Sequence, residues 1–88
     1  MVESRENILA IDFGQKRIGL ALAQNGLVTP FKVLAFDYQF FTNLAKIIEE
    51  FGIKKILIGL PEPESKMAGE VKKFSKQVKG IFAGEIIF

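Results

Sequence analysis

Neither cysteine nor histidine occurs in this chain. The first absence excludes disulfides, thiolate zinc sites and cysteine nucleophiles. The second removes Ser–His triads, imidazole metal ligands and histidine general bases. Any chemistry therefore rests on carboxylates, lysine, hydroxyls or a bound metal. No apolar run reaches bilayer length, and Met1–Asn7 is polar and mixed in charge, unlike a secretory signal. A cytoplasmic protein with no membrane partner is expected. A strong excess of one charge is missing too, with a formal net charge of +2. Its distribution is uneven: residues 1–53 carry five Lys/Arg and six Asp/Glu, net −1, and residues 54–88 carry seven and four, net +3. The basic character lies in the C-terminal part.

What is present is core material. Hydrophobic residues make up 49% of 88 positions, nine of them Phe, enough for one compact domain. Ile8–Phe13 is a nearly continuous apolar strand of the kind found centrally in a sheet. Gly14-Gln-Lys16 is a short turn, and Arg17–Ala23 alternates Ile18, Leu20 and Leu22 with Gly19, Ala21 and Ala23. Asn25-Gly26 signals a tight hairpin into a strand near Val28–Ala35, with Pro30 suited to an edge.

The period then changes. Phe40, Phe41, Leu44, Ile47, Ile48 and Phe51 recur at helical spacing, predicting an amphipathic helix over Tyr38–Phe51 closed by Gly52. Lys55–Gly59 reads as a short parallel strand buried between helices, followed by a loop over Leu60–Ser65. Val71, Phe74, Val78 and Phe82 stripe a second helix over Gly69–Lys79, with Lys72, Lys73, Lys76 and Lys79 toward the other side. A last strand covers Glu85–Phe88. The fold class is α/β: β-β-β-α-β-α-β, a mixed five-stranded sheet with helices packed on it.

One carboxylate, Asp12, stands inside the apolar run Ile8–Ala23. Burying it would be expensive without compensation from a metal ion, a nearby cation or a water-filled cleft. As a ligand it suits Mg²⁺ or Mn²⁺, which take oxygen donors. It also reads as a turn cap accepting hydrogen bonds from the Gly14–Lys16 amides. Lys16 and Arg17 are adjacent, so on a strand they point to opposite faces, and at least one should lie beside Asp12, ready for a backbone phosphate. The segment Gly14–Gly19 lacks the Gly-Lys-Ser/Thr ending of a P-loop and leads to a strand rather than a helix. The phosphate hairpin of actin-like ATPases also sets an Asp and a Gly between two strands, but those proteins enclose a nucleotide between two such domains. Gly59-Leu-Pro61 ends a strand where open sheets gather ligands. The four lysines of the second helix read first as a solvated face.

Taken together, Ile11-Asp-Phe-Gly-Gln-Lys-Arg-Ile-Gly19, Ile56-Leu-Ile-Gly-Leu-Pro61 and Gly69-Glu70 resemble, in order and spacing, the YqgF family of RuvX-like Holliday junction resolvases. That family lies in the ribonuclease H-like superfamily, and the resemblance runs from about Ile8 to Phe88. It implies a ribonuclease H-like fold and a nuclease acting on branched DNA or on precursor ribosomal RNA, with Mg²⁺ or Mn²⁺. Asp12 matches the first catalytic carboxylate and metal ligand. Lys16 and Arg17, with Gly14 in the turn, match the substrate-binding basic loop. Gln15 replaces a small hydroxyl residue common in the family.

By the same resemblance, a further Glu and Asp belong to a segment after the last strand, and neither occurs in these 88 residues. A truncated or shortened member is expected. Glu62 and Glu64 have no counterpart among the family's ligands. The alternative is a non-catalytic nucleic-acid- or partner-binding module that keeps the fold, and a third reading is an interaction domain in which Asp12 is a turn cap. A homodimer follows by analogy, since two symmetric cuts need two sites.

Overall fold

The computed structural model describes residues 6–59 and 68–88. Seven elements follow in chain order: β1 (Asn7–Asp12), β2 (Arg17–Gln24), β3 (Leu27–Ala35), α1 (Phe40–Glu50), β4 (Ile53–Ile58), α2 (Ala68–Lys79) and β5 (Glu85–Ile87). They form one five-stranded sheet in the order β3-β2-β1-β4-β5. The β1–β2 and β2–β3 pairs are antiparallel, and β1–β4 and β4–β5 are parallel. The α/β, ribonuclease H-like expectation is borne out, with β1 at the centre and the Pro30 strand at an edge. The loop expected at Leu60–Ser65, including Pro61, Glu62, Pro63 and Glu64, lies outside the described residues.

The hairpin between β2 and β3 turns on Asn25 and Gly26, with φ of 53° and 79°. Two successive left-handed residues give the turn whose twist matches the flanking strands. Helix α1 starts two residues later than the apolar period predicts. Asp37 forms its own turn first, its Oδ1 accepting from the Gln39 amide at 3.0 Å and its carbonyl from the Phe40 amide at 3.0 Å. Tyr38 is thus outside the helix. At the other end Gly52, with φ of 57°, lets the chain leave the helix. Asn7 begins β1 rather than belonging to a frayed start, and its Nδ2 donates to the Phe51 carbonyl at 2.6 Å. That bond joins the start of β1 to the end of α1.

One core fills the helix side of the sheet. Leu9 and Ile11 from β1, Ile18, Leu20 and Leu22 from β2, and Ile56 and Ile58 from β4 pack with Phe40, Leu44 and Ile47 of α1 and Val71, Phe74 and Val78 of α2. Phe82, beyond the end of α2, joins them. Rings of Phe13, Phe36, Phe40 and Phe41 surround Phe74, with centroids 4.9 to 5.8 Å from it. Such edge-on and tilted pairs add to the burial of apolar area. Ser75 is the buried polar residue here, and its hydroxyl donates to the Lys72 carbonyl at 2.8 Å.

The β4 expectation needs correction. Its parallel pairing is present, but among the described residues both helices lie on one face of the strand rather than on either side. Both helices share the core on one face, whereas Leu57 on the other face is 40% exposed. The face opposite α1 and α2 carries the alternating small residues Ala10, Gly19 and Ala21.

Candidate functional site

Asp12 is the last residue of β1, at the carboxyl end of the central strand. Side chains alternate along a strand, so Leu9 and Ile11 face the core while Ala10 and Asp12 face the opposite side. The antiparallel register sets Asp12 opposite Gly19. A Cβ on Gly19 would lie 3.8 Å from the Asp12 Cβ. On the β4 side comes Gly59, whose amide donates to the Ile11 carbonyl at 2.9 Å. Asp12 therefore stands exposed in a notch between two glycines. Gly59, at the strand end where open sheets gather ligands, lies in the same cleft as Asp12. An open cleft of about 610 Å³ includes both, together with Ala10, Gly19, Ala21 and Leu57.

The turn-cap reading fares less well. Among the described residues no amide of Gly14–Lys16 donates to the Asp12 carboxylate. The turn is tight because of Gly14 itself, where a Cβ would run into the carbonyl oxygen of Arg17. The Asp12 side chain is exposed, and among the described residues the ion pairs join Lys55 to Glu6 and Glu85 rather than to Asp12.

Arg17 opens β2, whereas Lys16 stays in the turn before it, so strand alternation places only Arg17. Ile18, Leu20 and Leu22 face the core, so Arg17 shares a face with Gly19 and hence with Asp12. Lys16 belongs to the turn, and its carbonyl accepts from the Phe36 amide at 2.8 Å. Both side chains are exposed. That backbone bond brings the segment after β3 to the same sheet edge and with it Tyr38, which is 92% exposed. The helical period of the sequence takes in Tyr38, while the Asp37 turn is the local signal that keeps it out. Lys32, which falls in no sequence motif, also lines the Asp12 cleft and lies 5.5 Å from the Phe31 ring centroid.

A hard divalent cation takes several oxygen ligands. Asp12 fits one such position. Among the described residues no group of three or more acidic side chains gathers to hold a metal ion, so they do not complete a metal site.

A family model described as "RuvX: Holliday junction resolvase" matches residues 6–88. The chain belongs to the RuvX family. The resemblance read from Ile11–Gly19 and Ile56–Pro61 is thereby borne out. Among curated RuvX relatives, a phytoplasma protein (Aster yellows witches'-broom) named "Putative pre-16S rRNA nuclease" is 36% identical over 76 residues, covering 81% of this chain and 50% of the relative. A protein of the same name from Chlorobaculum tepidum is 29% identical over 89 residues, covering 96% of this chain and 63% of the relative. One from Maridesulfovibrio salexigens is 34% identical over 85 residues, covering 86% and 57%. The chain thus spans between half and just under two thirds of these relatives' length. A solved Bacteroides thetaiotaomicron protein, described as having an actin-like ATPase fold and unknown function, is similar with a TM-score of 0.64. The match covers 97% of this chain and 33% of that one at 5% identity, a likeness of fold alone. Among the described residues no helix is long and apolar enough to cross a membrane.

Proposed function

We propose that this chain supplies the first carboxylate and the phosphate-positioning loop of a nuclease that cleaves phosphodiester bonds in nucleic acid. The observation that carries this reading is Asp12, exposed between Gly19 and Gly59 with Arg17 on the same sheet face, in a member of the RuvX family. Asp12 is the catalytic residue in this reading. Arg17 and Lys16 hold backbone phosphate, and Gly14 allows the tight turn that presents them. Mg²⁺ or Mn²⁺ belongs to the reading through the family, with Asp12 as one of its ligands. So do a cytoplasmic location, a homodimer for symmetric cuts, and either branched DNA of recombination or precursor ribosomal RNA as substrate.

The test is cleavage of a four-way DNA junction and of a structured precursor ribosomal RNA with Mg²⁺ or Mn²⁺, using the parent and Asp12→Asn. Metal-dependent cleavage lost in the variant is the expected result, and it names the substrate. Equal cutting by both proteins would remove Asp12 from the chemistry.

A second reading is favoured by the exposed lysines Lys72, Lys73, Lys76 and Lys79 of α2. Here the chain binds nucleic acid without cutting it. Salt-sensitive binding with no turnover would support this reading, and turnover would exclude it.

A further inference from the structure

On the helix side of the same sheet edge lies a second concavity, a groove of about 400 Å³ lined by Phe13, Gln15, Phe36, Glu70, Lys73, Phe74 and Gln77. Its volume falls within the range of small-ligand sites, about 300–1,000 Å³. Phe74 forms the buried floor, and the half-buried rings of Phe13 and Phe36 meet edge-on with centroids 5.5 Å apart. Over them, Gln15 Nε2 donates to the two carboxylate oxygens of Glu70 at 3.2 and 3.4 Å. Both partners are exposed and the contacts are long, so a better-placed ligand edge can replace either one. Lys73 and Gln77 complete the wall, both exposed on α2. Helix α2 carries Lys72, Lys73, Lys76 and Lys79 against the single acid Glu70, and none of these lysines is ion-paired among the described residues.

We propose that this groove takes one unpaired nucleotide of a nucleic-acid strand. The proposal rests on the nuclease reading above and adds a subsite to it. Rings with exposed surface offer stacking, which is tolerant of sequence because every base has a π-face. Donor and acceptor groups of Gln15, Gln77 and Glu70 meet a base edge, and the ammonium of Lys73 meets the phosphate. A carboxylate would repel a phosphate, so Glu70 marks the base end of the groove and Lys73 the phosphate end.

The position relative to Asp12 makes the fit specific. Asp12 and Phe13 are consecutive and turn to opposite faces of the sheet edge. A strand crossing that edge sets a phosphate before Asp12 and the adjoining base against Phe13. Such a base has to be unpaired, since a duplex cannot place a single base inside a groove of this size.

The test is equilibrium binding of labelled single-stranded oligonucleotides, ribose and deoxyribose versions in parallel, in EDTA so that no metal takes part. The parent should bind an oligonucleotide with bases about tenfold tighter than one of the same length made of abasic units. Lys73→Gln should weaken binding about threefold and flatten the dependence of log K on log salt by about 0.7. Lys46→Gln on α1 should change neither. The side-chain amide signals of Gln15 and Gln77 should shift on titration with the bound oligonucleotide. Should the ribose or the deoxyribose strand alone show these effects, the groove stands and its sugar preference is known. Equal affinity for based and abasic strands, with Lys73→Gln unchanged, overturns the groove while leaving Asp12-dependent cleavage untouched. Absence of any binding by the parent overturns it as well.

Discussion

Asp12 faces Gly19 across the β1–β2 pair, and a Cβ placed on that glycine would come within 3.8 Å of the Asp12 Cβ. That is ordinary van der Waals contact, so the glycine is there for openness rather than to relieve a clash. Gly19→Ala should therefore fold with a stability change below about 1 kcal/mol, as measured by urea denaturation. Gly19→Leu should fold too but cover the notch, reducing any Asp12-dependent cleavage. Unchanged cleavage in the leucine variant would show that the notch is not the approach to Asp12.

Gly14 presents the opposite case. Its Cβ would collide with the Arg17 carbonyl oxygen, a backbone atom that cannot swing away. Gly14→Ala should cost more than about 1 kcal/mol or rebuild the turn carrying Lys16 and Arg17. A denaturation midpoint equal to the parent's, with unshifted amide signals for Lys16 and Arg17, would contradict this.

The one-sided core makes a comparison between neighbouring residues informative. Ile56 is fully buried beneath the helices, and Leu57, next to it in β4, is 40% exposed on the opposite face. Ile56→Ala should cost about 2–5 kcal/mol and Leu57→Ala less than about 1 kcal/mol. Similar losses at both positions, read from denaturant midpoints, would mean that the second face is covered in solution.

Much of this architecture was legible because local chemistry and tertiary packing agree. The nearly continuous apolar run Ile8–Phe13 marked a central strand, Asn25-Gly26 a two-residue hairpin, and Val71, Phe74 and Val78 the inner stripe of α2. The errors have identifiable causes. Phe40 and Phe41 set the helical period, but Asp37 captures the first amides and holds Tyr38 out of α1. The apolar sequence Ile56-Leu-Ile58 looks the same whether one or both faces are covered. Only the placement of both helices on one side separates Leu57 from its neighbours. The sequence does not show that Lys16 stays in the turn while Arg17 opens β2, and placing Arg17 on the Asp12 face requires the register with Gly19. The Gln15–Glu70 contact spans 55 positions and has no local signal.

Asn7 supplies a further test of the packing. Its side chain is the link between the first strand and the Phe51 carbonyl at the end of α1. Asn7→Ala should cost about 0.5–1.5 kcal/mol, the usual worth of such a bond, without altering the Asp12 notch. A variant as stable as the parent in urea would show that water replaces the bond at no cost.

In the reading proposed above, Asp12, held open between Gly19 and Gly59, is the point at which this chain meets its chemistry. Titration of the ¹⁵N-labelled protein with millimolar Mn²⁺ tests it most directly, because a paramagnetic ion broadens amide signals close to its site. Selective broadening at Asp12, Gly19 and Gly59, lost in Asp12→Asn while the rest of the spectrum is retained, is the expected result. Broadening centred elsewhere, or unchanged in the variant, would contradict it.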